Sequence, residues 1–184
     1  MKHKSPLPLE IHDLTISYED KPVLYGIDLK ISDGVLVGII GPNGAGKSTL
    51  IQAIMGMVKP LGGWVKIFGQ KEKKAYLRVG YIPQKESVDW SFPVSVLDVV
   101  LMGRYGHAGW LRRISKKDRS IAYECLEKVN MHSFADRQIG KLSGGQQQRV
   151  FLARALAQES DLYLMDEPFA GVDAVTENAT IVLL

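Results

Sequence analysis

Gly41-Pro42-Asn43-Gly44-Ala45-Gly46-Lys47-Ser48 has the form G-x-x-x-x-G-K-S, a spacing that suits phosphate binding. The glycines at 41, 44 and 46 let the backbone turn tightly and aim its N–H groups inward at anionic oxygens. Lys47 would reach the β- and γ-phosphates, and the Ser48 hydroxyl would sit on Mg²⁺. The helix opened by Lys47, Ser48 and Thr49 would add the partial positive charge of its N-terminus. A nucleoside triphosphate is the expected ligand.

Two further groups suit the same chemistry. Leu162-Tyr163-Leu164-Met165 reads as an apolar strand ending in Asp166 and Glu167. Alternation along a strand gives these neighbours different directions and leaves them free to do different work. Beside a phosphate loop, Asp166 can hold Mg²⁺, and Glu167 can take a proton from the attacking water or orient it. Upstream, Ser143-Gly144-Gly145-Gln146 opens a helix. Ser143 with Gln146 fits a capping box, which accounts for the serine by itself. The paired glycines cost roughly 1 kcal/mol each relative to alanine, so something besides helix stability selects them, and a helix N-terminus can receive an anion.

These groups need elements to hold them. The apolar run Val35-Leu36-Val37-Gly38-Ile39-Ile40 predicts a buried strand leading into the phosphate loop. Leu9 to Tyr18 alternates apolar and polar residues, and Val23 to Ile31 forms a second strand, which predicts a small antiparallel sheet beside a parallel one. Tyr18 alone reads as packing at a strand end. Trp64 to Gly69 predicts a strand and turn, Lys71 to Lys74 a solvated charged face, and Val79 to Pro83 a short strand with Gln84 at its exit. From Lys85 to about Gly140 the periodicity turns helical. Ser95 with Asp98 predicts a capped helix start, 103–109 a loop, and Lys116 to Asn130 an amphipathic helix. The basic run Arg112 to Lys117 is a solvated face or a contact for an acidic partner or membrane headgroups.

A chain of 184 residues suits one core with a small insertion. A net charge of +3 is too small to imply nucleic-acid binding by itself. No apolar run approaches the roughly 18 residues needed to span a bilayer. The basic N-terminus carries two prolines and no apolar segment, unlike a secretory signal. Cys125, the single cysteine, is expected to be half-buried packing in a reducing compartment. His3, His12, His107 and His132 lack metal-ligand spacing.

Assembled, these motifs resemble the nucleotide-binding subunit of ABC transporters over nearly the whole chain. Leu142-Ser143-Gly144-Gly145-Gln146 is similar to that family's signature motif, and its spacing before Leu162–Glu167 fits. The resemblance implies an α/β fold: a P-loop NTPase core of mixed or parallel sheet with flanking helices, an N-terminal antiparallel β subdomain and an inserted helical subdomain. It places the core at 1–84 and 141–184 and the helical part at 85–140. It implies ATP and Mg²⁺ as cofactors, with Tyr18 stacking on adenine and Gln84 approaching Mg²⁺ and the attacking water. It also implies a head-to-tail homodimer in which Ser143, Gly144 and Gly145 of one copy face the γ-phosphate held by the other, with Gly171-Val172-Asp173 where the copies touch. Membrane permease subunits would be contacted through about 85–113, at the cytoplasmic face of the inner membrane, with no nucleic-acid partner. Gln84 to Pro93 and Val99 to Gly106 look like the importers for manganese, zinc or iron, which work with an extracytoplasmic metal-binding protein.

The family also carries a switch histidine well downstream of the catalytic glutamate, and this chain reaches Leu184 first. The expectation is a chain that binds ATP, hydrolyses it poorly and is marginally stable. The alternatives are an ATP-driven soluble clamp on nucleic acid or ribosomes, and an inactive cassette.

Overall fold

Leu9, Ile11, Leu14 and Ile16 are all buried in strand β1, Leu9–Tyr18, whose limits are those its alternation predicts. The step from Ile11 to Leu14 breaks the two-residue period. The chain absorbs it in a register shift at Asp13, where φ is 46° and the strand would otherwise turn Leu14 and Ile16 outward. The computed structural model describes residues 6–18, 21–71, 73–84, 89–90, 92–108 and 113–166.

The chain divides into two compact units, 1–79 and 80–184. In the first, β1 lies between β2, Lys21–Ile31, and β3, Gly62–Ile67, and pairs antiparallel with both. The predicted antiparallel sheet is present, with β2 beginning two residues earlier than predicted. Helix α1, Lys47–Ile54, turns Leu50, Ile51, Ala53 and Ile54 into the core.

Val35–Ile40 departs from its sequence pattern. It forms no strand, and its side chains are exposed, Leu36 to 80% and Ile40 to 97%. An apolar run becomes a buried strand only when strands pair with it, and none among the described residues does.

In the second unit, β4, Val79–Ile82, pairs with β5, Leu162–Met165, although the helices lie between them in sequence. The pair is the parallel sheet of the α/β class. Helix α2, Val96–Met102, starts at the predicted cap: Ser95 Oγ accepts from the Asp98 N–H, and the Asp98 carboxylate accepts from the Ser95 N–H. Part of the predicted loop at 103–109 is a single helical turn, α3, Tyr105–Ala108. Helix α4, Lys116–Lys128, carries a second capping box, Ser115 with Asp118, which begins inside the stretch 112–117 read as a basic run. Helices α2 and α4 pack against α5, Gly144–Ala157.

The core here is built from Val96, Val100, Ala122, Leu126 and Val150, each fully buried. Cys125 belongs to it, more buried than expected, and burial pushes its thiol pKa up. The 135–139 loop is stitched to the start of α2 by Leu97 N–H to Ala135 O, Val96 N–H to Arg137 O and Ile139 N–H to Val94 O.

Candidate functional site

The phosphate loop ends at Gly46, the N-cap of α1, with φ 90° and no side-chain cap. That left-handed conformation favours glycine, and a Cβ here would also come within 2.8 Å of Leu24 Cδ2. The Ala45 N–H donates to Pro42 O at 3.2 Å and closes the turn. Lys47 Nζ donates to Gly41 O at 2.8 Å and to Pro42 O at 2.9 Å, so the ammonium lies across the loop. Residues Gly41 to Ala45 are exposed. The first N–H groups of α1 have no acceptor inside their own helix, and a helix N-terminus favours an anion. The loop therefore brings a helix N-terminus and one cation together, an arrangement that suits phosphate oxygens.

Tyr18 ends β1 with its ring 46% exposed, and its hydroxyl makes a long 3.4 Å contact to Gln52 Oε1 on α1. This ties the aromatic ring to the helix that follows the phosphate loop.

In the second unit, Ser143 caps α5. Its N–H donates to Gln146 Oε1 at 2.9 Å, and its Oγ accepts from the Gln146 N–H at 3.4 Å, the predicted box. Among the described residues, a Cβ added at Gly145 would meet nothing within 4 Å. Packing against the described residues therefore does not require glycine there, although glycine weakens the helix.

Asp166 follows β5 and is 5% exposed. Its N–H donates to Ile82 O at 3.0 Å, which sets it at the end of the strand pair where β4 leads out to Gln84. Burial, with Asp166 second, raises the pKa of the neighbouring Tyr81. Arg154 of α5 donates from Nη2 to Tyr81 O at 2.9 Å and lies 4.4 Å over the Phe151 ring. Burial lowers its pKa. Sequence patterning does not single out Arg154, because an arginine on a helix ordinarily faces water.

Tyr18 and the loop from Gly41 to Thr49 thus belong to the first unit, and Gln84, Ser143 to Gln146 and Asp166 to the second. Glu167 and Asp173 lie outside the described residues. A groove of about 810 Å³ lined by Thr15, Ser17, Pro22, Tyr25, Lys59, Pro60 and Leu61 contains none of the predicted site residues. Among the described residues no cluster of His, Cys, Asp and Glu could hold a metal ion, and no helix is long and apolar enough to cross a membrane.

A phosphate loop opening one helix and a capped glycine turn opening another, with a carboxylate at a strand end, define an ATP-binding cassette. The chain belongs to the ABC transporter family, whose model matches residues 24–170. It is 56% identical over 176 residues to the zinc transport system ATP-binding protein TroB of Treponema pallidum, covering 96% of this chain and 66% of that protein. It is 58% identical over 177 residues to the manganese transport system ATP-binding protein MntB of Bacillus subtilis, covering 96% of this chain and 71% of that one. The chain therefore spans about two thirds of the length of the curated relatives it matches. Among solved structures it is similar to a dimeric ATP-binding cassette in a post-hydrolysis state bound to ADP and Pi. The TM-score is 0.80 and the identity 29%, over 95% of this chain and 80% of that one.

Proposed function

We propose that the chain is the ATP-binding, ATP-hydrolysing subunit of a membrane importer for manganese, zinc or iron. The observation that carries this is its similarity, over 96% of its residues, to the ATP-binding subunits of a zinc and a manganese transport system. The phosphate-loop geometry supports the first half of the statement.

ATP would be gripped by the loop N–H groups and Lys47, with Tyr18 offering a ring to adenine. The metal donors would be the Ser48 hydroxyl, the Asp166 carboxylate and the Gln84 amide, an all-oxygen set that suits Mg²⁺. Mg²⁺ held there would offset the charge that develops on the transferred phosphoryl group. Glu167 would take the proton of the attacking water, with Gln84 orienting that water.

Two copies would pair head to tail, the Ser143–Gly145 turn of one approaching the γ-phosphate held by Lys47 of the other and Asp173 at the contact. The open space beside Gly145 among the described residues supports this, since it leaves room for another molecule's ligand. The nucleotide-binding core would comprise 1–84 and 141–184 with a helical part at 85–140, and the pairing of β4 with β5 across that helical part supports treating 85–140 as an insertion. Residues 85–113 would meet the permease at the cytoplasmic face of the membrane. Exposed Phe92, Met102 and Tyr105 lie in that stretch and suit an apolar partner. An extracytoplasmic metal-binding protein would deliver the substrate.

The test is radioisotope uptake of manganese, zinc and iron in cells from which the gene has been removed. Uptake of one of the three should fall and be restored by the parent gene but not by the Lys47→Ala variant. Unchanged uptake of all three would overturn the importer assignment.

A further inference from the structure

Arg104 stands two residues beyond α2 and is 5% exposed. Its guanidinium joins three segments. Nε donates to Asp118 Oδ1 at 3.0 Å in the first turn of α4. Nη1 donates to the carbonyl of Ala157, the last residue of α5, at 2.6 Å, and to Glu159 Oε2 at 2.7 Å. Close by, His107 Nε2 lies 2.7 Å from Gln158 O. Gly103 presses on the same helix, where a Cβ would strike the carbonyl oxygen of Arg154.

The last carbonyls of a helix lack partners within it and carry its negative pole. Here Arg104 and His107, from the turn after α2, meet the carbonyls of Ala157 and Gln158. The segment 103–107 therefore caps the far end of the helix whose near end is the Ser143–Gly145 turn.

Glu159 adds an independent sign of what this junction requires. It occupies the position just past a helix end where glycine is usual, with φ 50°. A glutamate there carries strain that glycine would not, yet its carboxylate is the group that reaches Arg104. Burial opposes the charge on Arg104, but the hydrogen bonds it donates to Glu159 and Asp118 outweigh it and its pKa ends above the ordinary arginine value. A lysine offers one ammonium in place of this fork and cannot span Asp118, Ala157 and Glu159 together.

We propose that Arg104 is a positioning residue that latches the permease-facing α2–α3 segment to the C-terminal end of α5, so that displacement of α2 is delivered along α5 to the Ser143–Gly145 turn. The latch presupposes that the chain energises an importer as proposed above. Arg104 itself is buried and would touch neither nucleotide nor permease.

The test uses the full-length subunit assembled with its permease in lipid vesicles, reading ATP hydrolysis with and without permease and substrate. Arg104→Gln and Arg104→Lys should each lower the permease-stimulated kcat about tenfold, within the usual range of coupling between sites, while the KM for ATP stays within about twofold of the parent. Glu159→Gly relieves the backbone strain and removes one arm of the latch. It should also lower stimulation, with a melting temperature no lower than the parent's by more than a few degrees. If Arg104→Gln does not fold, Glu159→Gly decides alone. Stimulation equal to the parent's in the folded variants, rescue by lysine, or losses that track the melting temperature would overturn the latch and leave the importer assignment standing. A parent showing no permease-stimulated hydrolysis would overturn both.

Discussion

The Lys47 ammonium donates to the carbonyl oxygen of Gly41 across the phosphate loop, 2.8 Å away. A cation seated among the loop's own carbonyls is already where an incoming phosphate would need it. Lys47→Ala should weaken ATP binding about tenfold to a hundredfold, since hydrogen bonds to charged groups are each worth ~1.5–3 kcal/mol. Calorimetric titration with ATP measures this, and an unchanged affinity would remove Lys47 from the site.

Gly145 separates stability from function. Its missing Cβ would meet nothing among the described residues, so Gly145→Ala should leave the fold intact and raise its stability by about 0.5–1 kcal/mol, the helix preference of alanine over glycine. ATP-dependent pairing and turnover should fall in the same variant, because the added methyl enters the space proposed for a partner's γ-phosphate. Denaturant titration and a turnover assay on one sample check both halves.

The second unit depends on close packing around α4. Leu126 is fully buried among α2, α4 and α5, and Leu126→Ala should cost about 2–5 kcal/mol, from lost burial and the cavity left behind. The urea midpoint of the variant reports it.

Asp118 links stability to pH. Hydrogen bonds from the Ser115 hydroxyl and backbone, with a further one from Arg104, hold its carboxyl down from 3.8 to about 2. A lowered folded-state pKa gives a contribution that is fully present above about pH 4 and lost as pH falls toward 2. The stability gap between the parent and Asp118→Asn should therefore be widest near neutral pH and narrow between pH 4 and 2. Urea midpoints at several pH values in that range check the sign, and a gap that widens on acidification would contradict it.

Much of this was legible in local pattern. The alternation from Leu9 to Tyr18 sets β1 to the residue, and even its broken period at Asp13 is visible as the step from Ile11 to Leu14. Ser95 with Asp98 and Ser143 with Gln146 mark helix starts because a capping box lies within four consecutive residues. Ser115 with Asp118 carries the same signal, masked by the lysines and arginines around it. What was not legible is non-local. The burial of Arg104 depends on Asp118, Ala157 and Glu159, distant in sequence, and no periodicity announces it. Val35–Ile40 has the composition of a buried strand, but strandhood needs a neighbour that composition cannot supply.

In the proposed pair, ATP would be held between two copies, by Lys47 of one and the Ser143–Gly145 turn of the other. Light scattering of the Glu167→Gln variant with and without MgATP tests it most directly, because removing the proposed base should keep ATP bound and the pair closed. One chain's mass is expected without nucleotide and twice that mass with MgATP. A variant that binds ATP and keeps the mass of one chain would contradict it.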